Sequence, residues 1–189
     1  PASGWLLDDE ARADLVTGVS VTAIDTETKS LALSDTSTVS YGRLLLATGA
    51  QPRTLDLPES DRILTYRTLA DYRRLRGVVQ AGPRAVVVGG GYIGAEVAAA
   101  LAQNDVTVTL LMSGETVQGH MFPRRLAQEV TEEFRARGVT VVGGSGAQAA
   151  RLDGDTVVVT DTKGADHVAD VVVVGVGVTP EDQVAQQAG

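Results

Sequence analysis

A chain of 189 residues with a hydrophobic fraction of 43% can bury one good core, or a core and a smaller satellite. It has no cysteine, which excludes disulfides, thiolate nucleophiles, zinc–thiolate sites and redox dithiols, and its net charge of −8 without a basic run argues against a nucleic-acid surface. No apolar run approaches the roughly 18 residues of a membrane span, and residues 1–15 do not resemble a signal peptide, so we expect a soluble, cytoplasmic protein that binds neither nucleic acid nor membrane.

The first part of the chain predicts a small β-meander. Its three short strands are predicted at residues 19–24, 30–33 and 38–41. The continuous apolar run at residues 43–50 (RLLLATGA) ends in Thr48 and Gly49 and predicts a buried strand that emerges at a backbone-tight site. A polar connection with two prolines, residues 51–61, then separates this part from the next.

A second unit alternates helices and strands. Thr68 and Asp71 have the spacing of a capping box before a helix that runs to about Gln80. The elements that follow are a strand at 85–88, a helix at 92–103, a strand at 106–111, a helix from Pro123 to the stop at Gly138, and a strand at 139–142. This order predicts parallel strands joined by right-handed crossovers.

A second meander follows, with strands predicted at 151–152, 156–160 and 168–174, and it ends at residues 175–177 (GVG). The sequence therefore predicts an α/β protein with a Rossmann-like parallel sheet, helices on both of its faces and a three-stranded meander. A partial second unit, consisting of a meander and one strand, precedes it. Residues 1–14 are too short to complete that unit, so the chain resembles one and a half dinucleotide-binding units.

The most informative segment is residues 86–101 (VVVGGGYIGAEVAAAL), in which Gly89, Gly91 and Gly94 have the G-x-G-x-x-G spacing of a dinucleotide-binding turn. Gly89 allows the sharp turn, Gly91 the close approach of a pyrophosphate, and Gly94 the close packing of helix on strand. Phosphates would then lie at the positive end of the helix. The alternative is a close-packed turn that binds no ligand.

These motifs together resemble flavin-dependent pyridine-nucleotide oxidoreductases. They are ATGAQPR at 47–53, RTLADYRRLR at 67–76, VGGGYIGAE at 88–96 and GVG at 175–177, before Pro180. The segment MSGETVQGHMFP at 112–123 is most similar to the branch of apoptosis-inducing factor and its bacterial relatives, and next to ferredoxin and rubredoxin reductases.

The resemblance implies a domain organisation for the chain. Residues 1–54 would be the late part of an FAD-domain segment, 55–177 an NAD-binding domain, and 178–189 the start of the return to the FAD domain. The glycine turn that grips FAD in this family is not among these residues. We therefore expect FAD in the intact protein but neither FAD retention nor activity in this chain alone.

The resemblance also implies residue roles. The residues implied to line the NAD pyrophosphate are Gly89, Gly90, Gly91, Tyr92, Ile93 and Gly94. Glu96 would face and position the nicotinamide, the alternative being a carboxylate that only favours the helix N-terminus. Val176 and Gly177 would offer backbone groups to the nicotinamide amide, or simply end a strand. Thr48, Gly49 and Arg53 would approach the FAD.

Recognition of the adenosine ribose departs from the family pattern. An acidic residue is expected about 20 residues past the glycines, at the end of the second strand. Met112 occupies this position, and Glu115 is the candidate substitute from the loop. No arginine suited to the 2′-phosphate of NADP lies nearby, since the nearest is Arg124, so NAD is favoured over NADP.

Other candidates receive no chemical role. His120 lies in a glycine-flanked loop, where a histidine is typically structural or solvated, and His167 lies in a predicted hairpin. Asp8, Asp9 and Glu10 are too poorly placed to suggest a metal site, so none is predicted.

The sequence thus predicts the NAD(H)-binding portion of an FAD-dependent oxidoreductase, which passes hydride from NADH to flavin and electrons to a partner protein or small acceptor. The alternative is a free-standing dinucleotide-binding or interaction module without catalytic activity. Because residues 1–50 present strand faces that no βαβ unit of this sequence covers, disorder or self-association into a homo-oligomer is expected there.

Overall fold

The computed structural model describes residues 14–81 and 84–189. Two compact units make up the chain, one from the residues up to Gly49 together with Pro180–Gly189, and one from Ala50–Thr179. Asp8, Asp9 and Glu10, for which no metal site is predicted, lie outside the described residues. Within these two ranges, no helix has both the length and the apolar character needed to cross a membrane.

The elements alternate in the order expected for an α/β protein with two meanders. They are β1 (Val21–Asp25), β2 (Ser30–Leu33), β3 (Thr38–Ser40), β4 (Ala50–Pro52), β5 (Ile63–Thr65), α1 (Leu69–Ala81), β6 (Arg84–Val88), α2 (Tyr92–Ala102), β7 (Thr107–Leu111), α3 (Arg124–Ala136), β8 (Thr140–Val142), β9 (Ala147–Asp153), β10 (Thr156–Asp161), β11 (Asp166–Ala169), β12 (Val171–Val174), β13 (Val178–Pro180) and α4 (Gln183–Gln187).

The first unit contains the predicted β-meander, in the order β1-β2-β3 and antiparallel throughout. The side chain of Asp25 closes the first turn by accepting hydrogen bonds from the backbone N–H groups of Glu27 (3.0 Å) and Thr28 (2.8 Å). Such a turn fixes the register of the two strands that it joins, because Asp readily bonds the backbone two residues on.

The buried strand predicted at residues 43–50 is wrong. Leu44, Leu45 and Leu46 are 36%, 88% and 45% exposed, and only the last residue of this stretch enters a strand, β4. A buried strand needs hydrogen-bonded neighbours, and among the described residues none pairs with 43–49. The apolar run alone predicted a strand, but within the described part of the chain residues 43–49 have no neighbouring strand with which to pair.

The second unit is built on a parallel sheet of five strands, in the order β5-β12-β6-β7-β8. The predicted α/β class and the predicted parallel pairing of β6, β7 and β8 are confirmed. The capping box that begins α1 is formed, because Asp71 N–H donates to Thr68 Oγ1 (3.2 Å) and Thr68 N–H to the Asp71 carboxylate (2.7 Å).

The two faces of this sheet are covered by different layers. Val87 of β6 belongs to the core cluster shared with α1, α2 and α3, whereas its neighbours Val86 and Val88 pack with Val157 and Val159 of β10. The predicted placement of helices on both faces is therefore wrong, since all three long helices lie on one face. The apolar side of the β9–β11 meander covers the other face, so no helix is needed there.

The strand predicted at residues 168–174 is two strands in different sheets. Asp170 separates β11, which pairs antiparallel with β10, from β12, which pairs parallel with β6. Its carboxylate accepts hydrogen bonds from the Arg84 side chain (Nη2 2.8 Å, Nε 3.0 Å) and from Arg84 N–H (3.1 Å). These bonds hold the chain where it crosses from one sheet to the other, and they keep the pKa of Asp170 below its ordinary value.

A buried carboxylate organises the turn between β10 and β11. Asp161 is 2% exposed and lies 3.0 Å from Nε2 of His167, and it also accepts hydrogen bonds from the backbone N–H groups of Lys163 (2.9 Å) and Ala165 (3.0 Å). The bond with His167 and those N–H donors lower the pKa of Asp161 to about 2. His167 therefore serves the meander and lies in the hairpin, as predicted.

Candidate dinucleotide site

A cleft of about 900 Å³ lies in the second unit at the carboxyl ends of β12, β6 and β7. Carboxyl ends of parallel strands meet at one edge of a sheet, and this edge is where open α/β sheets bind ligands. Three chain segments line the cleft. The turn between β6 and α2, with the start of α2, contributes Gly89, Gly90, Gly91, Tyr92 and Ile93, and the segment after β12 contributes Gly175, Val176, Gly177 and Val178, with Arg53 beside them. The segment after β7 contributes Met112, Ser113, Gly114, Glu115, Thr116, Gly119 and His120.

Gly89 and Gly94 are required by the fold itself. Gly89 has a φ of +114°, and a Cβ on it would overlap the carbonyl group of Gly175. A Cβ on Gly94 would in turn overlap the carbonyl oxygen of Gly89. Because three backbone segments meet here without side chains, these two glycines have a packing explanation that needs no ligand.

Gly91 is different, because nothing in the packing requires a glycine at this position. It is the N-cap of α2 with φ −80°, a value open to any residue, and a Cβ on it would meet only Cε1 of His120 at an ordinary 3.9 Å. The bare backbone of Gly91 therefore faces open space in the cleft. The absence of a side chain leaves room for a group that approaches the N-terminus of α2.

The N-terminus of α2 offers hydrogen-bond donors to that space. The first backbone N–H groups of an α-helix have no partner within the helix. No side chain caps this helix, and its first turn carries no acidic residue. The positive end of the helix dipole is therefore free to attract an anion, which is the electrostatic requirement of a phosphate-binding turn.

At the end of β7, the side chain of Met112 is buried although the residue borders the cleft. It is 2% exposed, and its side chain lies directly beneath Gly90, where it would meet any Cβ on that glycine. Glu115 is exposed and lines the cleft, with a carboxylate oxygen 2.5 Å from where a Cβ on Gly144 would stand. The acidic residue nearest this strand end in the cleft lining therefore lies on the loop after β7.

At the end of β12, a hydrogen bond brings Arg53 to the cleft. Arg53 N–H donates to the carbonyl oxygen of Gly177 (2.9 Å), and Gly177 itself has a φ of +101°. Gly175 N–H donates to the carbonyl oxygen of Val88 (2.8 Å), so this strand end is tied directly to β6. Arg53, Val176 and Gly177 therefore lie together on one side of the glycine turn.

Four of the predicted site residues do not line the cleft. Gly94, predicted to line the pyrophosphate, is buried against the backbone of Gly89. Glu96 is exposed on α2 and does not line the cleft. Thr48 and Gly49 belong to the first unit, where Thr48 Oγ1 donates to the carbonyl oxygen of Glu181 and Glu181 N–H donates to that of Gly49 (3.0 Å). Their predicted contacts with nicotinamide and FAD stay predictions.

The sequence analysis missed seven residues that line the cleft, namely Ser113, Gly114, Thr116, Gly119, His120, Gly175 and Val178. Five of them lie on the β7–α3 loop, which folds back so that Gln118 N–H donates to the carbonyl oxygen of Gly90 (2.8 Å). No local pattern signals this contact, because it joins segments that are distant in sequence. The likeness of residues 112–123 to one branch of the family was a sequence signal for this loop, but it did not assign these five residues to the cleft.

A family model described as pyridine nucleotide-disulphide oxidoreductase matches residues 8–189. The chain belongs to this family. Its membership agrees with the resemblance carried by the glycine turn and by the motifs on either side of it.

Relatives within the family include the ferredoxin–NAD(+) reductase subunit of the benzene 1,2-dioxygenase system of Pseudomonas putida. It is 34% identical over 182 residues, which are 95% of this chain and 44% of that protein. Monodehydroascorbate reductase 4, peroxisomal, of Arabidopsis thaliana is 35% identical over 178 residues, 88% of this chain and 36% of that protein. The chain thus spans less than half the length of these relatives.

The fold is also similar to that of solved family structures. The covalent putidaredoxin reductase–putidaredoxin complex matches with a TM-score of 0.80 and 32% identity, over 91% of this chain and 43% of that chain. The predicted likeness to ferredoxin reductases is confirmed by these comparisons.

Proposed function

We propose that residues 55–177 are the NAD(H)-binding part of an FAD-dependent oxidoreductase, and that residues 1–54 and 178–189 belong to its FAD-binding part. The intact protein would take a hydride from NADH onto the flavin of FAD and pass electrons to an acceptor. The observation that carries the proposal is Gly91, a glycine at a helix N-terminus that packing does not require and whose open side faces the cleft.

The dinucleotide is proposed to lie across the three strand ends. Its pyrophosphate would lie against Gly91 and the N-terminal amides of α2, where the helix dipole stabilises negative charge. Its adenosine ribose would lie at the β7 end, with Glu115 as hydrogen-bond acceptor. Its nicotinamide would lie at the β12 end, beside the backbone groups of Val176 and Gly177. Glu96 remains the proposed positioning residue on α2.

This placement favours NAD over NADP. A carboxylate beside the ribose accepts hydrogen bonds from its hydroxyl groups and repels a 2′-phosphate. The cationic side chain Arg53 lies at the opposite, β12 end of the cleft, beside Gly177, so it would not compensate a phosphate on the adenosine ribose.

Hydride transfer needs alignment more than acid–base chemistry, because the cofactors carry the reacting atoms. The contribution of these residues would be to fix the nicotinamide end through the rigid backbone of residues 175–177, which is held to β6 and to Arg53 by hydrogen bonds. As the acceptor we propose a ferredoxin-type protein, since a ferredoxin–NAD(+) reductase is among the relatives. The assay gives the intact protein NADH and either a ferredoxin-type protein or a small acceptor, and it measures which of the two is reduced. Reduction of the small acceptor alone would contradict the proposed protein acceptor.

The binding proposal is tested by titrating the chain with NADH and NADPH while following nucleotide fluorescence. Gly91→Val should fill the space for the pyrophosphate and weaken NADH binding by more than about tenfold, a loss above about 1.4 kcal/mol. Gly77→Val is the matched control, because Gly77 lies on α1 outside the cleft with open space around it. Unchanged NADH affinity in Gly91→Val, or no saturable binding at all, would overturn the proposal.

FAD retention is a separate question. The expectation that the 189-residue chain does not retain FAD stays a prediction, and the visible absorbance of the purified chain tests it. A stoichiometric flavin band would contradict it, while NADH binding without a flavin band would agree with a dinucleotide-binding part that depends on the rest of the protein for chemistry.

A further inference from the structure

We propose that His120 is a pyrophosphate-binding residue of the cleft, and that its imidazolium form makes dinucleotide binding tighter as the pH falls. This inference rests on the proposed function, because it assigns a further residue to the same site. It also changes the interpretation of His120, which the sequence alone gave as structural or solvated.

The first argument is position. His120 lines the cleft, and its Cε1 lies 3.9 Å from the place where a Cβ on Gly91 would stand. Apart from the chain neighbours of Gly91, no other heavy atom of the described residues comes within 4 Å of that place. The imidazole therefore faces the N-cap of α2 across the space left by the missing side chain. A phosphate drawn to the helix N-terminus at Gly91 would enter this space beside the ring.

The second argument is that the loop carrying His120 is fixed to the site. Gln118 N–H donates to the carbonyl oxygen of Gly90 (2.8 Å), and Met121 N–H and Phe122 N–H both donate back to the carbonyl oxygen of Gln118 (2.9 and 3.0 Å). Gln118 has a φ of +55°, uncommon for a residue with a side chain.

The same loop is also anchored to α3. Val117 is fully buried, and its N–H donates to Oγ1 of Thr131 (2.9 Å), a 2% exposed side chain that donates in turn to the carbonyl oxygen of Ala127 (2.7 Å). With bonds on both sides, the loop presents His120 to the glycine turn in a defined position. The ring itself remains exposed and able to meet a ligand.

The third argument is charge. The other titratable side chains that line the cleft are Arg53, Tyr92 and Glu115. Arg53 lies at the β12 end beside Gly177, and Glu115 is anionic, so His120 is the side chain at the glycine turn that can offer a positive charge. Imidazole is the side chain that takes up a proton between about pH 5 and 8, and a protonated donor strengthens a hydrogen bond to phosphate.

The experiment measures ADP-ribose binding by calorimetry at pH 6 and pH 8. ADP-ribose carries the pyrophosphate but no nicotinamide, and adenosine serves as the ligand without phosphates. For the wild-type chain we expect ADP-ribose to bind about three- to tenfold tighter at pH 6 than at pH 8, the size typical of one charge-assisted hydrogen bond at an exposed site. Adenosine affinity should not change with pH.

Three variants assign the effect. His120→Gln should bind ADP-ribose equally at both pH values, at the affinity of the wild type at pH 8, and His120→Arg should bind tightly at both. His167→Gln is the matched control, because the chain has two histidines and His167 lies in β11 outside the cleft. It should keep the pH dependence of the wild type.

The outcomes separate this inference from the proposed function. If the wild type binds ADP-ribose but His120→Gln keeps the full pH dependence, or if the wild type has none, the role of His120 is overturned while the dinucleotide site stands. If the wild type binds neither ADP-ribose nor NADH, both are overturned. If His167→Gln loses the pH dependence, the titrating group is His167 in the meander, and the role of His120 is overturned.

Discussion

The carbonyl oxygen of Gly89 fills the space that a side chain on Gly94 would need, so the turn before α2 is locked against the first turn of the helix. The same glycine motif contains Gly91, whose Cα borders open space. One motif therefore combines glycines that the packing requires with a glycine that the packing does not require, and substitutions can separate the two.

Gly94→Ala should destabilise the fold because the new methyl group would overlap backbone atoms, which move less readily than a side chain. Overpacking of this kind costs about 1–3 kcal/mol, and the rigid neighbour places this case at or above the upper end. Gly91→Ala should cost less than about 1 kcal/mol, the scale of a changed N-cap. Urea unfolding of both variants checks this, and equal losses of stability in the two would contradict it.

Glu115→Gln should lower the preference for NADH over NADPH. Loss of the negative charge would remove an acceptor for the ribose hydroxyl groups and a repulsion of the 2′-phosphate. We expect NADH affinity to fall about three- to tenfold and NADPH affinity to hold or rise. Fluorescence titration with both nucleotides measures the ratio. Glu129→Gln on α3, outside the cleft, is the control, and a ratio unchanged in Glu115→Gln would exclude Glu115 from ribose recognition.

Asp170→Asn should destabilise the second unit by about 1.5–3 kcal/mol at pH 7, the range for hydrogen bonds to charged groups. The lost interactions are the charge-assisted bonds from Arg84, and the Asp170 side chain is only 13% exposed. Arg125→Ala breaks the exposed pair with Glu129 and should cost at most about 0.5 kcal/mol. Thermal unfolding of the two variants gives the comparison; similar melting temperatures would argue against a role for Asp170 at the junction of β11 and β12.

Asp161 should make stability depend on pH in the acid range. Because the fold lowers the pKa of this carboxyl from 3.8 to about 2, its contribution is fully present above the ordinary carboxyl range and is lost as the pH falls through about 2. The difference in unfolding free energy between wild type and Asp161→Asn should therefore be largest at neutral pH and shrink between about pH 5 and pH 2. Denaturant unfolding across this range measures it, and a difference that stays constant with pH would refute the assignment.

Much of the second unit was predictable because its signals are local. The capping box of Thr68 and Asp71, the glycine spacing after β6 and the proline before α3 each restrict a few neighbouring backbone angles, and the structure has the expected element at each place. The prediction of a strand at 43–50 was wrong because it rested on a local signal for a feature that depends on distant residues. Its apolar run specified burial, but strand formation depends on partners elsewhere in the chain.

The layer arrangement could not be read from local patterns. Continuous burial in β6, where residues 85–88 are all buried, required two covered faces. Whether a helix or a meander covers each face depends on competition between amphipathic elements that are distant in sequence. The apolar side of β10, with Val157 and Val159, covers one face, and α1, α2 and α3 share the other.

The sequence by itself determined the α/β class and the glycine turn, because periodicity and backbone sterics act between near neighbours. Its motifs carried the resemblance to the family. The tertiary structure alone decided which glycine is free to meet a ligand, that the Met112 side chain is buried while Glu115 lines the cleft, and that His120 faces Gly91. These relationships depend on the β7–α3 loop folding back onto the turn after β6, a contact between distant segments that burial and hydrogen bonding select only once the whole sheet has formed.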